Sequence, residues 1–498
     1  MVDVSREARP INGPQPSVQQ EEPSNWKFYL LIAGVITGAS FFVFPAPSGV
    51  LPNGWHALGL LIPVVAIWAT EIMSVGVAAL LFLAMVVGLH LVSPDVAFKG
   101  FTNHLPWLML GAFSMGAAML RCGLSQRITY WLLSRFKGLW GITAAAYIVN
   151  LCLVAVPSAA ARAGMLAPVL KSIIESSGYT KESKIARFLT FNFVNATSTP
   201  LSIAVLSGPT TAMMLGIYTT LTGQSLTWLQ WLAVMFLPAM VLTAVNFVFS
   251  YVFSRPEPGL AAKLRDSKAA VEAYAKLPPM SAGEWRVLAL FLLLILLWVI
   301  GGQIQLDAGF AALFVMGLLF LPKIGVLPTS ALKEINWDIT LLIGTSVSII
   351  GIFDQTGMIK VVSTALVAPV LNPLALYGVI GVALGVVIVN LIAHFMLPAP
   401  GNIPLAVPLL IGWGTQVAHL PALEVLVVLL LLSALVNQVV VLAYQMPPFY
   451  VFLGMEVTDH AKFNGLLVKI WPFATIGALL GALVAYGMVT SLGLSPGT

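Results

Sequence analysis

Charge is scarce in this sequence. Only 9% of its 498 residues are Asp, Glu, Lys or Arg, against roughly 25% in ordinary soluble domains, while 59% are hydrophobic. That balance excludes a water-soluble globule. Cysteine is almost absent: Cys122 and Cys152 both fall in apolar stretches, so buried thiols are expected rather than a disulfide framework or a thiolate metal site. No glycine-rich phosphate loop and no metal-ligand cluster is present. Ser158 sits among small residues with no His or Lys in its segment to act as a base. These absences weigh against ATP-driven transport within the chain and against an intramembrane enzyme, and no cofactor is implied. Regular alternation of polar and apolar residues is also missing, so long helices are expected rather than a transmembrane barrel.

What remains is a series of long apolar runs. A helix needs about 20 apolar residues to cross a bilayer. On that measure spans are expected at 27–46, 55–71, 73–93 and 105–123, then at 229–253, 286–301, 307–325, 336–356 and 467–490. Residues 1–26 are polar, rich in Pro, Gln and Glu, and lack the charged-then-apolar order of a cleaved signal, so a disordered tail is expected there. Segments 124–139 and 358–368 are amphipathic and expected in the membrane interface. The stretch 254–285 is the one long polar interior loop, with Ala, Glu and Lys content suited to a short surface helix.

The chain carries an internal repeat. Ile148–Leu170 and Ile388–Leu410 share Ile-Val-Asn-Leu at an offset of 240, and Pro168 falls on Pro408. Both segments are apolar, break at prolines and small residues, and resume, which predicts helical hairpins at 140–176 and 375–413. Pro209 and Leu215-Gly216 match Pro447 and Leu453-Gly454 at an offset of 238, inside apolar segments 188–218 and 423–454 that are themselves interrupted. Paired interrupted segments at corresponding positions point to a transporter's binding site. The fold expected is an all-α polytopic membrane protein built from two inverted-topology repeats, 27–253 and 286–490. Each repeat holds a re-entrant hairpin and a broken transmembrane helix. A linker covers 254–285 and a short tail 491–498.

Loop charge fits this layout. With the N-terminus in the cytoplasm and both hairpins re-entrant, the loops 1–27, 124–139, 171–187, 254–286, 322–336 and 455–469 lie inside and hold 20 of the 24 Lys and Arg residues. That positive-inside bias puts the C-terminus outside, and the cytoplasmic membrane is the expected location. The net charge of +5 is therefore an orientation signal and not a nucleic-acid one.

Candidate site residues cluster at the breaks. Arg162 is an arginine at membrane depth, a position that costs from about 2.5 kcal/mol upward. It lies among small residues where the second hairpin arm begins, and a guanidinium beside a helix N-terminus suits a carboxylate or another oxyanion. The competing reading is that it pairs with a carbonyl or carboxylate to hold the tip together. Asn402 matches Arg162 at the 240 offset, and His394 stands just before the second break, as a substrate donor, a proton carrier or a structural histidine. The first broken segment offers Thr197, Ser207 and Thr210; the second offers Gln445 beside Tyr444. Glu71 and Asp354 read as structural or interfacial carboxylates.

In motif order the chain resembles the divalent-anion/sodium symporter superfamily, nearest the branch of 2-oxoglutarate/malate translocators and citrate, tartrate and succinate carriers. The resemblance runs from residue 27 almost to the end. It rests on Trp68-Ala-Thr-Glu71, on Trp107-Leu-Met-Leu-Gly111-Ala-Phe followed by Cys122-Gly-Leu-Ser-Gln-Arg127, and on Pro157-Ser-Ala-Ala-Ala-Arg162-Ala-Gly164. Pro278-Pro-Met-Ser281 and Ala393-His394 complete it. It implies a homodimer in membrane lipid, with hairpin tips and broken helices holding a small dianion and often sodium. Transferred to this chain, the first tip is Ser158, Ala159 and Ala160, and sodium ligands would come from near Ser158, Thr197 and Ser207. The family's Ser-Asn-Thr tips are replaced here by Ser158-Ala159-Ala160 and Pro398-Ala399-Pro400, which supply fewer side-chain oxygens and favour exchange or proton coupling over sodium. The function expected is a secondary carrier of dicarboxylates working by elevator-like alternating access. A sulfate-type oxyanion carrier is the alternative, and an anion channel a more distant one.

Overall fold

The computed structural model describes residues 25–47, 49–70, 72–153, 156, 158–198, 209–222, 226–257, 268–396, 399–418, 432, 434–436, 439–441 and 447–491. Among them every regular element is helical, and 8 helices are long and apolar enough to cross a membrane. These are Asn25–Val43, Pro52–Thr70, His104–Cys122, Trp228–Ser254, Ala282–Ile300, Trp337–Gln355, Met358–Ala375 and His460–Val489. Six match expected spans to within four residues at each end, and His460–Val489 starts seven residues before the expected 467–490. The other, Met358–Ala375, differs from expectation: the amphipathic piece at 358–368 continues as one helical run, through a π-turn at Ser363–Val367, to Ala375. The segments expected to span at 73–93 and 307–325 form shorter helices, Val75–Gly88 and Ala308–Phe320.

Polar residues set the helix starts. Ser74, Asn103, Ser158, Ser183, Asp307 and Asn336 each accept a first-turn amide through the side chain. Thr227 with Gln230, and Ser281 with Glu284, form reciprocal capping boxes. Each such cap uses a backbone donor that lipid cannot satisfy. Lys268–Ala275 is the short helix expected inside the polar loop.

The order of elements recurs along the chain. His104–Cys122 and Trp337–Gln355 have 19 residues each, and each is followed by a left-handed glycine, Gly123 and Gly357. Gly138 and Gly378, 240 positions apart, then open the two hairpin segments at φ +70° and +68°. A side chain at that φ would be strained, so glycine at both positions reflects the same backbone turn. The segments expected as hairpins hold the helices Gly138–Cys152 and Ala159–Ser176, and Gly378–Met396 and Ala399–Gly412.

Packing exchanges elements between the early and late parts. His104–Cys122 packs on Ala308–Phe320, and Val75–Gly88 on Trp337–Gln355, while Trp228–Ser254 lies along His460–Ser491. Asp338 joins one of these contacts: its Oδ1 accepts from Ser74 Oγ and from the Gly76 amide at 2.8 Å. Arg127 joins another pair of distant segments. Its Nε donates to Glu284 Oε1 at 2.5 Å and its Nη2 to the Pro278 carbonyl at 2.7 Å, so two of the motif strings meet in space.

Candidate functional site

The candidate site is built from helix ends. Ala159–Ser176 starts at Ser158, whose Oγ accepts the Ala161 amide at 3.2 Å. That hydroxyl is therefore already engaged in capping. Ala159 and Ala160 follow in the first turn, half-buried and exposed respectively, and an added Cβ at Gly164 would meet open space. One face of this helix start is thus small-residued and accessible.

Arg162 points the other way. It is 2% exposed, and its guanidinium donates to the carbonyl oxygens of Val156 and of Thr197, the latter at 2.7 Å. Thr197 is the last residue of Lys184–Thr197, and its own hydroxyl returns to the Val194 carbonyl at 2.7 Å. At that end the last carbonyls have no further turn to accept from. Arg162 satisfies one of those carbonyls and one in the loop before its own helix. Of the two readings open to this arginine, these contacts are those of the tip-holding one, with carbonyls as partners.

The remaining predicted residues fall as follows. Thr210 is half-buried in the first turn of Pro209–Thr222, and its neighbour Thr211 is buried. His394 and Asn402 are buried on Gly378–Met396 and Ala399–Gly412, two helices packed on each other. Ser207, Gln445 and Glu71 lie outside the described residues. Asp354 accepts from Gln416 Nε2 at 3.2 Å at an exposed position, a structural contact.

The interrupted elements meet one another. Ala159–Ser176 packs against both Lys184–Thr197 and Pro447–Gly454, and Ala399–Gly412 packs against Pro209–Thr222. Ala159–Ser176 and Ala399–Gly412 therefore each lie on a helix from the other part of the chain.

A buried polar seam escaped the sequence reading. Tyr147 Oη donates to Asn192 Oδ1 at 3.0 Å and accepts from Asn195 Nδ2 at 2.9 Å. Asn192 Nδ2 reaches the Phe188 carbonyl at 2.9 Å and Ser250 Oγ at 3.1 Å, and Asn246 Nδ2 reaches Asn195 Oδ1 at 3.5 Å. The seam ties the first hairpin arm to Lys184–Thr197 and Trp228–Ser254. The available signal was Asn192 and Asn195 three apart, facing one way on a helix.

The profile of the family described as the sodium:sulfate symporter transmembrane region matches residues 24–491. A candidate malate transporter of Bacillus subtilis (strain 168), YflS, is 26% identical over 350 residues, covering 68% of this chain and 72% of the relative. Dicarboxylate transporter 1, chloroplastic, of Spinacia oleracea is 26% identical over 343 residues, covering 66% of this chain and 59% of that protein. The Arabidopsis thaliana protein of the same name is 24% identical over 345 residues, covering 66% of this chain and 60% of its own length. The chain thus spans about three fifths of the two chloroplast relatives.

Proposed function

This chain belongs to the sodium:sulfate symporter family, an integral membrane transporter family, and from that premise we propose that it is a secondary carrier of small organic dianions such as malate. The substrate class follows the relatives named for malate and dicarboxylates. The observation that carries the proposal is the exchanged packing, in which Ala159–Ser176 lies on Pro447–Gly454 and Ala399–Gly412 on Pro209–Thr222. Helix ends are where a membrane protein has backbone groups to offer an ion.

In this reading the substrate carboxylates meet the first turn at Ser158, Ala159 and Ala160. Arg162 lies beneath them, held by the Val156 and Thr197 carbonyls, and its fixed charge adds to the positive helix end. Asn402, His394 and Thr210 face the far end of the anion, with Ser207 and Gln445 completing the set. The chain works as two inverted repeats, 27–253 and 286–490, with re-entrant hairpins. The exchanged packing and the Gly138/Gly378 correspondence support that arrangement. It sits as a homodimer in the cytoplasmic membrane, N-terminus inside, and moves its hairpins as an elevator.

The family description points to sodium as the coupling ion. The alanines and prolines at the two tips point to anion exchange without a strict sodium requirement. The family description also favours a second reading, transport of sulfate. Thermal unfolding of the purified protein across mono-, di- and tricarboxylates and sulfate separates them, since a ligand of the folded state raises its apparent stability. A dicarboxylate at 100 times its Kd adds about 2.7 kcal/mol. Stabilisation by sulfate alone replaces the dicarboxylate reading, and stabilisation by none of these anions removes both.

A further inference from the structure

Three helix ends converge on one aromatic cluster. Trp140 opens the first hairpin arm, Phe188 begins Lys184–Thr197, and Phe247 and Tyr251 close Trp228–Ser254. The ring centroids lie 5.0 Å apart for Trp140 and Tyr251, 5.6 Å for Trp140 and Phe247, and 6.2 Å for Trp140 and Phe188. Phe188 stands 6.0 Å from both Phe247 and Tyr251. Trp140 remains 51% exposed and Tyr251 41%, with Val248 and Val252 exposed on the same helix.

Each of the three helices carries a cation at the outward end of this cluster. Lys184 is four residues before Phe188, Arg187 one before it, Arg255 four after Tyr251, and Lys137 three before Trp140. Four residues of helix rise about 6 Å, so most of these charges stand one turn beyond the rings, on the water side. Lys184 and Arg255 are exposed, Arg187 is half-buried, and none of these three forms an ion pair with a described residue. Two acidic groups are close in sequence: Glu182 pairs with Lys462 at 3.3 Å, and Glu257 lies near Tyr179, whose phenol is pushed up by burial and then by that charge.

Amphipathic rings collect at the headgroup level of a bilayer, and basic residues just outside it attract anionic lipids. We propose that this cluster is a binding site for one anionic phospholipid, its phosphate held by Lys184, Arg187 and Arg255 and an acyl chain laid along Trp140, Val248, Tyr251 and Val252. A dissolved anion fits less well, because the cations border exposed apolar surface that water would leave bare. The site lies at the opposite end of Gly138–Cys152 from Ser158 and depends only on the chain spanning a membrane, so it stands or falls apart from the substrate reading.

The test titrates detergent-purified full-length protein with phosphatidylglycerol, phosphatidylcholine or glycerol 3-phosphate and follows thermal unfolding. Phosphatidylglycerol is expected to raise the midpoint saturably, and the other two are not. Each basic residue near a membrane surface contributes about 1 kcal/mol, or roughly fivefold. The double variant Arg187→Gln/Arg255→Gln therefore shifts the phosphatidylglycerol titration about 25-fold, while Lys171→Gln, whose lysine pairs with Glu175, leaves it in place. If the double variant does not purify, Lys184→Gln carries the same comparison at about fivefold. Phosphatidylglycerol with brominated acyl chains should quench the wild type more than Trp140→Phe. Equal stabilisation by phosphatidylcholine, a response to glycerol 3-phosphate alone, or an unshifted titration in the variants overturns the proposal.

Discussion

The guanidinium of Arg162 donates to the carbonyl oxygen of Thr197 at 2.7 Å, so a charge near the start of one helix closes the end of another. The same group holds the Val156 carbonyl in the loop before its own helix. One side chain thus fixes the geometry between the first hairpin tip and the first broken segment.

Charge-assisted hydrogen bonds contribute roughly 1.5–3 kcal/mol each. Arg162→Ala frees two carbonyls and removes a charge behind the helix start, so it should lower the unfolding temperature and slow substrate uptake together. Arg162→Lys keeps the charge but loses the planar fork that reaches both carbonyls, and should recover only part of the loss. Initial uptake rates in proteoliposomes measure both. Wild-type rates in Arg162→Ala would remove this residue from the site. Uptake of the wild type should be equal in sodium and choline buffers, and an absolute need for sodium would contradict the exchange reading.

Arg127 and Glu284 form a largely buried ion pair, with side chains 14% and 5% exposed. Breaking such a pair from one side costs about 3–5 kcal/mol, because the other charge stays buried. Arg127→Ala should lower the unfolding temperature markedly. Glu284→Gln should be milder, since its amide oxygen still accepts the Ser281 amide that Glu284 Oε2 now accepts at 2.7 Å. A Glu284→Gln loss equal to that of Arg127→Ala would show that the charge pair, and not the cap that Gln keeps, carries the stability.

Much of this architecture was legible in the sequence, because a bilayer imposes length and apolarity that any spanning helix must show. The helices Trp228–Ser254 and Trp337–Gln355 lie within a residue of their expected ends. The position of Arg162 at a helix start was legible too. Which way it points was not, since its partner Thr197 is 35 residues away and contributes only a backbone oxygen, which every residue has. The Arg127–Glu284 pair spans 157 residues, and only the two motif strings around it hinted at a meeting. The continuous helix Met358–Ala375 was missed because Lys360 and its polar neighbours mimic an interfacial piece, and a π-turn carries the chain on.

The seam of Tyr147, Asn192 and Asn195 should behave as a unit. Tyr147→Phe removes the hydroxyl with little change in shape and leaves two buried amides short of a partner, at a cost of about 1–3 kcal/mol. A double-mutant cycle with Asn195→Ala should give a coupling of about 0.5–3 kcal/mol in urea denaturation. Simple additivity of the two losses would mean that the groups are satisfied independently.

Orientation is tested by cysteine labelling. With the N-terminus inside, a cysteine introduced at Ser495 should react with an impermeant external reagent, and one at Ser267 should not. The reverse pattern would invert the topology and undo the re-entrant placement of both hairpins.

Counterflow tests dicarboxylate carriage most directly. Proteoliposomes preloaded with unlabelled malate should take up labelled malate faster than empty ones and overshoot equilibrium, and preloading with sulfate should not substitute. Uptake unaffected by preloading would contradict a carrier, and acceleration by sulfate but not malate would contradict the substrate.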